Sequence, residues 1–167
     1  MHILIGIFVT APDEETAISF ADRTAEVIVE NCRSFDYFGG IGGPKDLRDR
    51  LTEKAKKPAF RMSEPEGKEL VSVLMSEMKE NFMEHLKKVR KKLSASDKTL
   101  WNRRDTWMFH ANQLGEYEGP SVKLYNEDGC GISGPDALKE FMAAVKAKEF
   151  KAKDEDVLWI VPVDMHY

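Results

Sequence analysis

The stretch MHILIGIFVT, residues 1–10, decides the fold. Between His2 and Thr10 only Gly6 interrupts an apolar run, and Ile3, Ile5, Ile7 and Val9 are β-branched, which favours a pleated backbone. A short continuous apolar run closed by a turn signal reads as a strand covered on both faces, and hence central in its sheet. The rest of the chain is material paired beside that strand or laid over it. Pro12 suits a helix's first turn, and Asp13, Glu14 and Glu15 sit where a helix dipole favours anions. Ala17, Phe20, Ala21, Thr24, Ala25, Ile28 and Val29 recur at three- and four-residue spacing, which predicts an amphipathic helix over about residues 12–31.

Further along, Phe35, Asp36, Tyr37 and Phe38 read as a second strand ended by glycines, and Pro44 opens a short basic helix to about residue 56. Residues 59–62 are a linker or a short edge strand. The longest helical signal covers residues 66–93, with Val71, Leu74, Met75, Met78, Phe82, Leu86, Val89 and Leu93 along one face. Such a stripe is more often core than interface, although Met75, Met78 and Met83 also suit an adaptable contact. Ser96 caps a second short helix. Residues 107–114 fit helix or strand, and the reading here is strand. Residues 121–126 alternate as a strand with Val122 and Leu124 inward and Lys123 and Tyr125 outward. Asn126 to Gly129 is a turn, Pro135 opens another helix, and residues 157–167 close the chain as a second apolar strand. Pro162 within it suggests an edge position or a bulge.

This order predicts a single α+β domain over residues 1–167: a ferredoxin-like antiparallel or mixed sheet covered by helices, with the first and last strands side by side and a helical insertion at about residues 64–105. At 167 residues and net charge −4, the chain can build a core and offers no global attraction for nucleic acid. No apolar run is long enough to span a bilayer and no signal peptide is present, so the expectation is a cytoplasmic protein with no membrane contact. Cys32 and Cys130 have no metal or redox spacing and read as reduced thiols.

Three constellations carry chemistry. In Gly39-Gly40-Ile41-Gly42-Gly43-Pro44-Lys45, glycines let backbone N–H groups approach an anion at a helix start, and Lys45 and Arg48 supply cations. The spacing matches neither a Walker A loop nor a dinucleotide fingerprint, and a tight strand-to-helix connection explains it as well. In the closing Asp164-Met165-His166-Tyr167, strand alternation puts Asp164 and His166 on one face, where a carboxylate can orient an imidazole for acid–base work. His110 is a second candidate imidazole. The structural alternative is a histidine that only completes a strand end, and no metal-ligand spacing is present. In Trp101, Arg103, Arg104 and Trp107, rings interleaved with arginine can stack on bases, although two tryptophans on an acidic chain are more often core anchors.

Asp36-Tyr37-Phe38-Gly39-Gly40 and Val163-Asp164-Met165-His166-Tyr167 resemble the two ends of small uncharacterised phage and archaeal proteins, which pair an Asp-Tyr-x-x-Gly-Gly segment with a closing Val-Asp-x-His strand. The resemblance implies a viral or mobile-element accessory protein and singles out Asp36, Tyr37, Asp164 and His166. It carries no function, and Ile41 stands where those proteins usually have an arginine.

The first functional expectation is a non-enzymatic binding protein, without cofactor or metal, that engages a host protein or a small phosphorylated ligand. Its surface would be Asp36, Tyr37, Gly39, Gly40, Gly42, Gly43, Lys45 and Arg48 with the sheet end at Asp164 and His166. A homodimer through an edge strand or the methionine-rich helix is compatible with it. The alternative is a small phosphodiesterase or nuclease using His166 and His110 as acid and base, with Asp164 orienting one of them.

Overall fold

The computed structural model describes residues 2–31, 35–39, 57–102, 108, 111–112, 121–147 and 157–166. The elements, in chain order, are β1 (His2–Ala11), α1 (Glu14–Asn31), β2 (Tyr37–Gly39), β3 (Phe60–Arg61), α2 (Pro65–Leu93), α3 (Asp97–Asn102), β4 (Leu124–Tyr125), α4 (Pro135–Lys146) and β5 (Val157–His166). The predicted basic helix at residues 44–56 lies outside the described residues.

β1 takes the central place that its unbroken apolar pattern demands. It pairs antiparallel with β5 along its full length, from His2 opposite His166 to Ala11 opposite Val157. On its other side it pairs parallel with β4, Gly6 opposite Leu124. β2 and β3 both lie along the outer side of β5 and are antiparallel to it. The result is an α+β protein with a mixed sheet, roughly ferredoxin-like in its adjacent first and last strands. α2 and α3 occupy the predicted helical insertion.

Helices cover both faces of the sheet. The face bearing Gly6 and Phe8 meets α2 through Leu74 and α4 through Phe141, whose ring lies 5.0 Å from that of Phe8. α1 also packs on β1 and β5, so Ile5, Ile7 and Val9 on the opposite face are fully covered. α1 starts one residue after Asp13, whose Oδ1 accepts the Thr16 N–H at 2.8 Å. Pro12 therefore precedes the cap instead of opening the first turn. At the far end of the sheet, Trp159 Nε1 donates to Ala11 O at 3.0 Å, and Arg61 lies over the Trp159 ring.

Four further expectations are corrected. Pro162 is neither at a sheet edge nor in a bulge, because β5 has partners on both sides and its register with β1 is unbroken. Gly6 donates its N–H to Lys123 O at 2.8 Å, on the β4 side. In an antiparallel ladder, its partner Pro162 then points its nitrogen away from β1. Among the described residues, no strand pairs with β5 in that direction between β3, at residues 159–160, and β2, at residues 164–166. The missing donor falls where no ladder bond is due. Tyr125 is not outward but 1% exposed, since a strand between two helical layers has no solvent side. The apolar stripe of α2 is buried through Met78 and again at Val89, whereas Phe82 and Leu93 are exposed. Within residues 107–114, Met108, Ala111 and Asn112 are helical, so strand is the wrong choice at the described positions.

Candidate functional site: two carboxylate-held imidazoles

Antiparallel pairing of the first and last strands sets His2 directly opposite His166. Both residues fall on the sheet face that carries Leu4, Gly6 and Asp164, by the two-residue alternation of a strand. The two rings meet edge to face, with centroids 4.8 Å apart and planes at 66°. Each ring is held by a carboxylate through Nδ1. His2 Nδ1 lies 3.1 and 3.2 Å from the two oxygens of Asp164. His166 Nδ1 lies 2.5 Å from Asp36 Oδ1. The Asp36 N–H also donates to His166 O at 3.1 Å, which holds the start of β2 against the end of β5.

The two pairs differ in environment. The Asp164 side chain is 9% exposed and that of Asp36 is 64% exposed, while His2 and His166 are 22% and 26% exposed. Burial pushes the Asp164 carboxyl above the usual carboxylate range; His2 and then His166 pull it partly back. With the carboxylates ionised, Nδ1–H of each ring donates to its partner. That contact fixes the ring orientation and the tautomer, and leaves Nε2 as the atom through which each imidazole exchanges a proton.

The structure thus assembles the predicted residues differently from the expectation. Asp164 and His166 do share a face, but Asp164 orients His2, and His166 takes Asp36. Sequence reasoning missed His2. Its signal was available: once the first and last strands are neighbours and antiparallel, His2 must approach His166. His110, the predicted second imidazole, lies outside the described residues, as do Gly40, Gly42, Gly43, Lys45, Arg48, Arg103, Arg104 and Trp107. Phe38 and Gly39 pair with Met165 and Asp164, and Tyr37 pairs with His166, so β2 delivers the start of the glycine run to the same sheet end. Among the described residues, no group of three or more His, Cys, Asp or Glu is arranged to hold a metal ion. No described helix is long and apolar enough to cross a membrane. Cys130 is an exposed free thiol.

A family profile matches residues 1–167 from end to end. The chain belongs to DUF7995, a domain of unknown function. The match takes in all four residues of the imidazole cluster. No curated protein and no solved structure matches the chain.

Proposed function

We propose that the protein engages a phosphorylated ligand at this end of the sheet and that His2 and His166 handle protons on it. The observation that carries the reading is the cross-strand pair of imidazoles, each with Nδ1 on its own carboxylate. Such a pair can divide acid–base work on a phosphate ester. The neutral ring takes a proton from the attacking hydroxyl or water as the new P–O bond forms. The protonated ring gives its proton to the leaving oxygen as the old P–O bond breaks. A protonated imidazole also offsets the charge of a bound phosphoryl group. The placement of Gly39 opposite Asp164 supports the same reading, because a glycine beside the cluster allows close approach of a ligand to the backbone. In this reading the acid–base pair is His2 with His166, and His110 is not required.

The test is a thermal-shift panel of phosphate monoesters and diesters, read together with release of the leaving group from a chromogenic diester. Ligand at about 100 times its dissociation constant stabilises the native state by about 2.7 kcal/mol, which for a chain of this size is a rise of about 5–10 °C. The shift and the turnover should both be lost in the H2A and H166A variants. No shift with any phosphate ester, or a shift that survives in the H2A/H166A double variant, overturns the reading.

A further inference from the structure

α2 and α4 share one face of the sheet. The contacts of α2 carry it obliquely across that face: Gly67 on Arg61 of β3, Leu74 on Gly6 of β1, then Met78 beside Val122 at the entry to β4. α4 begins at Pro135 and lays Phe141 on Phe8. Beside the entry to β4 the two helices leave a groove of about 690 Å³ between them. Met78 and Val122, both buried, line its inner side. One wall is the stripe Ser72, Met75, Ser76, Lys79, Phe82 and Met83 of α2, and the other is the start of α4 at residues 133–135. The stripe keeps the three- and four-residue spacing of a single helix face. Packing on the sheet does not account for its later part, because Phe82 and Met83 are 45% and 49% exposed.

Two exposed apolar side chains on a helix are ordinary by themselves. Here they border a concavity, and a concavity of about 300–1,000 Å³ with apolar walls and a few polar groups is the usual form of a small-molecule site. Met75, Met78 and Met83 give the walls unbranched, polarisable side chains that adapt to a flexible occupant. From Ser72 to His85 the groove follows about 20 Å of α2, which suits an elongated molecule. Its charge is one-sided. Among the described residues no aspartate or glutamate lines it, on a chain with 29 of them against 25 lysines and arginines, whereas Lys79 and His85 do. Of the acids on the same turns of α2, Glu77 pairs with Lys123 and Glu84 with Lys88. Lys79 is exposed and has no carboxylate partner among the described residues.

We infer that this groove binds an amphipathic anion, an aliphatic carboxylate whose chain lies along Met75, Met78, Phe82 and Met83 and whose head group pairs with Lys79. The inference does not rest on the phosphate-ester reading, since no groove residue belongs to the His2–His166 corner. A second copy of the chain is the less favoured occupant. A stable protein interface buries about 800 Å² on each partner, whereas the exposed large apolar groups of this groove are only Phe82 and Met83.

The test is isothermal titration of the full-length chain with octanoate, decanoate and dodecanoate, each kept below its micelle-forming concentration. Binding should be one-to-one, and two added methylenes should tighten it by about fourfold or more. Dodecyltrimethylammonium, with the same chain and the opposite charge, should bind about fivefold or more weakly than dodecanoate. K79E should weaken dodecanoate by about fivefold or more and leave decanol binding unchanged. M83E, which sets a carboxylate in the apolar wall, should weaken both. Lys79 and Met83 are exposed, so both variants should keep the wild-type circular dichroism spectrum. Four outcomes overturn the proposal: no heat of binding with dodecanoate at about 1 mM, a stoichiometry well above one, equal affinity for the carboxylate and the ammonium, or wild-type affinity in both variants. A dimer in sedimentation equilibrium that M83E dissolves, on a chain that binds none of the carboxylates, also overturns it and gives the groove to a second copy.

Discussion

Asp164 shows at the scale of one residue how a site competes with stability. Its side chain is nearly buried, and the desolvation outweighs the pull of His2 and His166, so its carboxyl titrates above the usual range. A carboxyl whose pKa is raised by folding binds its proton more tightly in the native state, so its ionised form disfavours the fold. The cost is present above the folded-state pKa and vanishes below the unfolded-state value. D164N keeps an oxygen to accept the His2 Nδ1–H and removes the buried charge. It should therefore raise the urea midpoint at neutral pH, and its advantage over wild type should close as pH falls through the carboxylate range. The same variant should lose the response to phosphate esters, a gain in stability against function. D36A, at an exposed position, should change stability by less than about 1 kcal/mol and still weaken the ligand response. A D164N chain less stable than wild type at neutral pH would contradict this account of the pair. From the sequence, Asp36, Asp164 and His166 were legible as residues to be taken together. Their partners were not, because which carboxylate meets which ring depends on a cross-strand register that no local pattern states.

The two tight glycines govern the elements. At Gly6 a Cβ would stand 2.8 Å from Ile160 Cδ1 and 2.9 Å from Leu74 Cδ1, the movable ends of side chains. At Gly67 the obstacle is the Arg61 carbonyl oxygen at 2.5 Å, which is backbone. G6A should therefore cost about 1–3 kcal/mol by overpacking. G67A should cost more, despite the better helix propensity of alanine, because α2 must lift from β3. Urea denaturation of the two variants decides it, and a G67A chain as stable as wild type would show that α2 is not seated as described. Elements with strong periodicity were legible: β1, α1, α2, α4 and β5 all stand where the apolar pattern put them. The short strands were weaker signals, since β2 and β3 exist through pairing with β5 more than through composition. Pro162 and Tyr125 misled for one shared reason. Both were judged as if their strands had an open side, whereas Tyr125 lies beneath helices and Pro162 lies inside β5, between the stretches that pair with β3 and with β2.

On the scale of the whole molecule, the arrangement follows from one pairing. The opening strand lies antiparallel to the closing strand, so the two ends of the chain bring one histidine each to a common corner. The turn into β2 adds Asp36 there, and α2 crosses the sheet face above obliquely, from β3 to β4. The fold class, the adjacency of the end strands and the helical insertion were readable in the sequence. The oblique path of α2 across the sheet was not, because it depends on where Leu74 rests upon Gly6. The most direct measurement is a pH titration of the imidazole resonances by ¹H–¹⁵N NMR, on chain labelled at histidine, with and without uridine monophosphate. The account predicts that the signals of His2 and His166 shift together on addition of the nucleotide, and that both rings stay protonated to higher pH in its presence. Resonances of these two rings that ignore the nucleotide, or shifts confined to other histidines, would contradict it.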